Sequence, residues 1–347
     1  MAFARLANYV ERLMPLNEKP SNPSDRPFNN GTAKNPPLLR SQGVNHILLY
    51  PGSFNPPHQG HLNLLKHVFK HAGADLNMVA AIVVLTSDEK VQSKMKGRDN
   101  AIAIPKDKRI KLWRGQGIPV DWAWVYDCSE SWGKFRARLT KAVRNDRMEL
   151  KFIALHGPDI ITAEKGFNPN IWGCSDAITS DISRAVDFRY PSTLRKLAGC
   201  SPWSELNVDR ACIERLIRTK LRGHQESVIK EAMTKAMQNI DTIWVCRQTR
   251  HKPKGNVRFL KSDLMQQSTD APSSTKIRAI IVSSPPEELE KNLRGIALHP
   301  DVLVKYLKEL PKPVKRAAPR ELKEWKWNLD CPVDWKEYEK TIPERWD

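Results

Sequence analysis

The sequence predicts an α/β protein built on a doubly wound parallel sheet. Three observations point to it. From residue 46 to about 160, strand-like runs at 46–50, 78–85, 120–126 and 151–155 alternate with helical patterns at 62–71 and 133–144. The first run ends in a glycine turn that feeds a helix, and sheets of this kind bind ligands at the carboxyl ends of their strands. After a helical stretch, the strand pattern returns at 242–246 and 257–260.

Taken in order, residues 1–45 are rich in Asn, Pro and Ser and read mostly as a flexible N-terminal arm. One amphipathic stretch there (Phe3, Leu6, Val10, Leu13) has the spacing of a helix that docks on the body. A domain then runs from 46 to 310. Its first strand, 46–50, leads into Gly52, Ser53 and Phe54, and the helix expected near His58 carries His58 and His61 on one face. Backbone N–H groups freed at the turn and at the helix start, together with the helix dipole, suit an anion such as phosphate. Residues 174–240 read as a helical insertion, with one stripe at Val208, Cys212, Leu216 and Leu221 and another at Ile229, Met233, Met237 and Ile240. Helices are expected at about 275–282 and 300–310. From 311 to 347 runs a C-terminal tail with Trp325, Trp327, Trp335 and Trp346 among charges, suited either to stacking on bases or to pinning onto the protein's own surface.

Composition narrows the function classes. The 347 residues suffice for one large domain with additions or for two domains. The 40% hydrophobic residues are dispersed, and no run approaches the roughly 18 needed to span a bilayer. The first 20 residues lack a secretory h-region, so the expected location is cytoplasmic, nuclear or both. The six cysteines (Cys128, Cys174, Cys200, Cys212, Cys246, Cys331) have no metal-knuckle or redox-pair spacing and read as reduced thiols. A net charge of +18 attracts nucleotides, nucleic acid or anionic lipid, and the basic insertion and tail are candidate contacts for nucleic acid or protein.

Four segments carry chemistry. The first is Gly52-Ser53-Phe54-Asn55-Pro56-Pro57-His58-Gln59-Gly60-His61. The second, Ser273-Ser274-Thr275-Lys276-Ile277-Arg278, offers serines to cap a helix facing a phosphate and places Thr275 and Arg278 on one face. The Arg278 guanidinium supplies a fork of donors suited to phosphate oxygens. The third is Leu155-His156-Gly157-Pro158-Asp159 at a strand's end, followed by Asn168-Pro169-Asn170-Ile171-Trp172. The fourth, Thr86-Ser87-Asp88 through Lys94-Met95-Lys96-Gly97, follows the second strand.

The first segment fits the glycine-turn and HxGH signature of the nucleotidyltransferase superfamily, and in particular resembles the N-terminal motif of nicotinamide mononucleotide adenylyltransferases. The hexamer at 273–278 resembles that family's SSTxIR signature, and Gly157 with Asp159 resembles its GxD element. The segment bearing Trp172 is similar to the one whose tryptophan stacks on the pyridine ring. The loop carrying Lys96 resembles the family's lysine-rich loop near the substrate phosphate. It is also similar to the KMSKS loop of class I aminoacyl-tRNA synthetases, but there that loop lies much further downstream.

The resemblance, to a fungal-type member with a large helical insertion, implies a Rossmann-like nucleotidyltransferase fold. It also implies adenylyl transfer from ATP to nicotinamide or nicotinic acid mononucleotide. His58 and His61 would bind the ATP phosphates, Ser274, Thr275 and Arg278 would hold the leaving pyrophosphate, and Gly52, Ser53, Phe54, Lys96, Gly157, Asp159, Trp172, Ser273 and Lys276 would complete the binding site. Mg2+ is expected with ATP, because no residues cluster into an all-protein metal site and phosphate and water hold most of its coordination. About 70 residues separate Trp172 from the next expected strand, where the familiar enzymes have a short loop. This insertion reads as a lid, a partner-binding module or a change of specificity beside the pyridine pocket. A second reading is a nucleotide- or RNA-binding protein of the same fold, with weak ATP hydrolysis in place of efficient transfer.

Overall fold

A computed structural model describes residues 3–20, 22, 25–98, 101–115, 117–167, 171–250, 254–263 and 271–310. The expected Trp-rich tail lies outside the described residues.

The chain opens with β1 (Phe3–Arg5), which pairs antiparallel with β2 (Leu38–Arg40) around α1 (Leu6–Leu13). The flexible arm expected at 1–45 is thereby corrected. Leu6 and Val10 of α1 are fully buried against α5 (Trp132–Asn145), and Tyr9 donates a hydrogen bond to Asp146. The apolar stripe of α1 outweighs the Asn- and Pro-rich composition around it, because burying each such side chain returns about 1.5–3 kcal/mol.

The main sheet begins with β3 (Val44–Gly52), β4 (Met78–Leu85), β5 (Ala123–Tyr126) and β6 (Glu149–Leu155). It continues through β7 (Asp176–Ser180), β8 (Ser204–Glu205), β9 (Ile243–Arg247) and β10 (Asn256–Leu260). The order is β5-β4-β3-β6-β7-β10-β9-β8. Neighbours from β5 to β10 run parallel, while β9 is antiparallel to both β10 and β8. This is a Rossmann-like mixed sheet with helices on both faces. Leu48 and Tyr50 of β3 meet α2 (Gln59–His71) and α4 (Lys106–Leu112), whereas Ile47 and Leu49 face α5. From β3 the chain winds outward to β4 and β5, then returns to β6 and winds the other way. The crevice between the carboxyl ends of β3 and β6 is therefore the switch point at which such sheets bind ligands.

Two expectations change. Residues 174–240 are not wholly a helical insertion, since β7 is a full member of the sheet and its Thr179 and Ser180 are fully buried. The helical part is α6 (Arg210–Lys220) and α7 (Glu226–Ile240), which pack on each other. Asn239 of α7 donates to the His71 carbonyl at 3.1 Å, and this satellite core touches Ala74. The pair thus sits by the C-terminal end of α2, away from the crevice. Second, the loop expected after β4 contains α3 (Asp88–Met95), capped by the Ser87 hydroxyl and buried only through Val91 and Met95. Further on come α8 (Ser274–Ser283), α9 (Leu289–Leu293) and α10 (Pro300–Glu309). The five described cysteines are free thiols. No helix among the described residues is long and apolar enough to cross a membrane.

Candidate active site

A cleft of about 460 Å³ opens at the carboxyl ends of β3 and β6. Its floor is the turn after β3. Gly52 is required there, because a Cβ would stand 2.6 Å from the Phe54 ring. That ring, itself buried, packs edge-on against Tyr50, Trp113 and His61, with centroids 5.0, 5.1 and 4.9 Å away. Phe54 thus serves as a wall that fixes His61 in place.

The structure sets the two histidines as a reciprocal cap on α2. His58 N–H donates to His61 Nδ1 at 3.2 Å, His61 N–H donates to His58 Nδ1 at 3.4 Å, and the rings stack at 3.5 Å. With both Nδ1 atoms accepting from backbone, each neutral ring carries its proton on Nε2. Burial and the nearby Arg184 guanidinium pull His58 down to about 3, and burial, His58 and Lys94 hold His61 well below its ordinary value. Before ligand binds, the pair therefore offers two neutral N–H donors. Incoming anionic charge favours their protonation.

Beside the start of α2 stands the N-terminus of α8. The Ser273 hydroxyl accepts from Lys276 N–H at 3.1 Å, and the Ser274 hydroxyl donates to the Pro56 carbonyl at 2.8 Å. Arg278, buried to 4% exposure, donates to the Asn55 carbonyl at 2.7 Å and to the Thr275 hydroxyl at 3.1 Å. Two helix N-termini, those of α2 and α8, are thereby welded to one turn. Such termini concentrate free N–H groups and positive potential.

The third wall is the end of β6. A Cβ on Gly157 would lie 2.8 Å from the Asp159 carboxylate, so glycine lets that side chain fold back beside the strand end. Trp172 lines the cleft while its other side packs on the core, and Arg136 fixes its turn by donating to the Gly173 carbonyl at 2.8 Å. Residues 168–170, expected to lead into it, lie outside the described residues.

Most of the sequence-derived candidates meet here: Gly52, Ser53, Phe54, His58, His61, Gly157, Asp159, Trp172, Ser273, Ser274, Thr275 and Arg278 all line the cleft. Two do not. Lys96 caps the end of α3 and is exposed, while Lys94, one half-turn earlier, and Arg98 take the cleft positions. Lys276 contributes its backbone N–H to the α8 cap and is absent from the lining.

Several contributors carry no signal in the sequence. Ser183 and Arg184, just beyond β7, reach the cleft from the chain leading to α6, whereas no described side chain of 206–240 lines it. Fully buried Arg109 donates to the carbonyls of Ile104, Ser53 and Thr86 at 2.8, 2.6 and 3.1 Å and pairs with Asp88 at 2.7 Å. It ties the turn after β3 to the start of α3. Asn55 bridges Ile102 and Ile104, and Gln59 N–H donates to the Ile296 carbonyl at 2.9 Å, bracing α2 from the C-terminal region.

Two predictions arise from this geometry. Arg109→Met leaves three carbonyls short of a donor at about 1 kcal/mol or more each, so the urea-unfolding free energy should fall by about 3 kcal/mol. A loss below about 0.5 kcal/mol would remove Arg109 from the frame of the site. The second concerns acid. Burial holds His58 at about 3 and His156 at about 4. Between the unfolded value of about 6.5 and these, the unfolded chain binds protons that the native state refuses. Stability is thus retained above about 6.5 and falls below it, by up to about 1.4 kcal/mol per pH unit for each histidine. Urea midpoints at pH 7 and pH 5 read this directly; equal midpoints would contradict it.

The electrostatics are one-sided. Lys94, Arg98, Arg184 and Arg278 face the cleft, against Asp159 as the one carboxylate among its described lining residues. A family model described as cytidylyltransferase-like matches residues 49–280, from β3 through the middle of α8. The chain belongs to the cytidylyltransferase-like family. This places it in the nucleotidyltransferase superfamily, with nucleotidyl transfer as its class of chemistry. No curated protein matches the chain. In this cytidylyltransferase-like protein the matched span contains every cleft wall described above.

Proposed function

We propose that the protein transfers the adenylyl group of ATP to nicotinamide mononucleotide or nicotinic acid mononucleotide, releasing pyrophosphate. The observation that carries this reading is the convergence of the His58–His61 cap and the α8 N-terminus on one cationic cleft, with Trp172 on the opposite wall. A triphosphate meets donors from His58 and His61 and, next to them, from the first turn of α8. The pyridine stacks on Trp172. The choice of adenylyl over cytidylyl rests on the resemblance of Ser273 to Arg278 to the adenylyltransferase form of that signature.

The acceptor's phosphate oxygen attacks the α-phosphorus and the bond to the β-phosphate breaks, so pyrophosphate departs with its electron pair. That oxygen is already ionised near neutral pH, so no base is needed. Positioning and charge stabilisation do the chemistry. His58 and His61 donate through Nε2 to the charge that builds on the α-phosphoryl group. Arg278 acts mainly by holding Asn55 and Thr275, with Lys94 and Arg98 supplying mobile charge at the rim.

Among the described residues no three His, Cys, Asp or Glu side chains cluster to cage a metal. Asp159 and the substrate phosphates are the donors suited to Mg2+, which when bound neutralises polyphosphate charge. Within α6 and α7, Arg218 binds Glu214 and Glu226 and Lys235 binds Glu231, while Arg210, Arg215 and Lys230 add exposed basic charge.

The test is a substrate panel: purified protein and Mg2+ with ATP or CTP, and with nicotinamide mononucleotide, nicotinic acid mononucleotide or pantetheine phosphate. A dinucleotide formed from ATP and a pyridine mononucleotide is the expected product. Product from pantetheine phosphate alone, or from CTP alone, moves the assignment to that substrate. ATP binding or slow hydrolysis with no acceptor used selects a nucleotide-binding role.

A further inference from the structure

His156 lines the cleft but takes no part in the phosphoryl chemistry. It follows β6 and its N–H donates to the Ile178 carbonyl of β7 at 3.1 Å, so the strand alternation extends through it. Leu150, Phe152 and Ala154 face the core against which Trp172 packs, and His156 continues their face. His58, His61 and Phe54 belong to the opposite side of the crevice, with α2. The crevice thus has a phosphate side and a ring side, and His156 is a polar side chain on the latter.

It is 4% exposed, lines the cleft, and lies beside Phe167 with ring centroids 5.7 Å apart. Its Nε2 is buried and has no hydrogen-bond partner among the described residues. A buried imidazole nitrogen left unpaired is unfavourable, and a ligand that pairs with it lifts that cost.

We propose that His156 reads the polar substituent of the acceptor's ring, its Nε2 hydrogen-bonding the group carried by a ring stacked on Trp172. This rests on the adenylyl-transfer reading given above. Burial holds the imidazole neutral, at about 4, with Asp159 pulling weakly the other way. A neutral Nε2 either donates or accepts, according to tautomer, and a carboxamide answers both roles. A carboxylate accepts only and brings charge into a buried wall. Arg184, whose charge is felt at His58, serves the phosphate side. The acceptor chosen is therefore the amide.

The experiment compares the native protein with His156→Phe and His156→Gln, using nicotinamide and nicotinic acid mononucleotides. His156→Phe should raise the KM for the amide by about tenfold or more while the KM for ATP stays within about twofold. His156→Gln, which keeps a donor and an acceptor, should hold the amide KM within about threefold. Should His156→Phe not fold, the native protein still decides. The 15N resonance of His156 Nε2 should shift on adding nicotinamide mononucleotide and stay in place with ATP alone. An unchanged amide KM, a KM for ATP that rises equally, or an unmoved resonance overturns the role of His156. Absence of any turnover of pyridine mononucleotides by the native protein overturns the underlying reading instead, so the two failures are distinct.

Discussion

His61→Ala should lower kcat for nucleotidyl transfer by at least about a hundredfold, because removal of one preorganised donor from developing charge costs about 3–4 kcal/mol. The ring stands on His58 at 3.5 Å and against Phe54 at 4.9 Å, so its Nε2–H is aimed by packing as well as by the cap. The same substitution removes the acceptor for the His58 N–H. Loss of one half of such a cap costs about 1 kcal/mol of stability, small enough that the variant remains folded. Turnover and thermal unfolding are therefore read together. Near-normal turnover in a folded variant would take the histidine pair out of the chemistry.

Arg278→Lys should be nearly as damaging, despite keeping the charge. The guanidinium spans the Asn55 carbonyl and the Thr275 hydroxyl at once, in a position only 4% exposed. An ammonium cannot form that fork, so α8 loses its tie to the turn after β3. A shift of about 1 Å in such a site is worth about a hundredfold, and kcat/KM should fall by about that much. The damage should appear in kcat more than in ATP affinity, since Lys94 and Arg98 still attract the polyphosphate. If Arg278→Lys keeps full kcat, Arg278 supplies charge alone and the α8 tie is dispensable.

Much of the site was legible in the sequence because its geometry is local. The residues at 52–61 encode a turn, a cap and a helix start within a few positions of one another, and those at 273–278 encode a second cap. Each meaning survives without tertiary context. What stayed hidden depends on contacts distant in sequence. Arg109 reads as one more cation in a basic helix, and only the fold brings it to Ser53 and Thr86. β7 is hidden in the sequence because its polar residues lack the apolar run of the other strands. Thr179 and Ser180 are nonetheless buried in the sheet, and Asp181 just beyond them pairs with Arg189.

The sequence does not tell Lys94 from Lys96, because α3, with only Val91 and Met95 to bury, has too short an apolar stripe to read as a helix. Without the helix, the direction of each lysine is undetermined. The first 45 residues show the converse. Asn, Pro and Ser dominate the average there, while four apolar positions in α1 decide the structure. The insertion within 174–240 is expected beside the acceptor, yet its helix pair rests by the far end of α2, and among the described residues of that span only Ser183 and Arg184 reach the cleft.

The most direct measurement is to follow the phosphorus of ATP by 31P NMR during reaction with Mg2+ and nicotinamide mononucleotide. On the proposed role of the His58–His61 donors at the α-phosphoryl group, ATP should be cleaved between α and β. Pyrophosphate and a dinucleotide should then appear in equal amounts, without ADP. ADP and orthophosphate accumulating with the mononucleotide unconsumed would contradict adenylyl transfer as the work of this cleft.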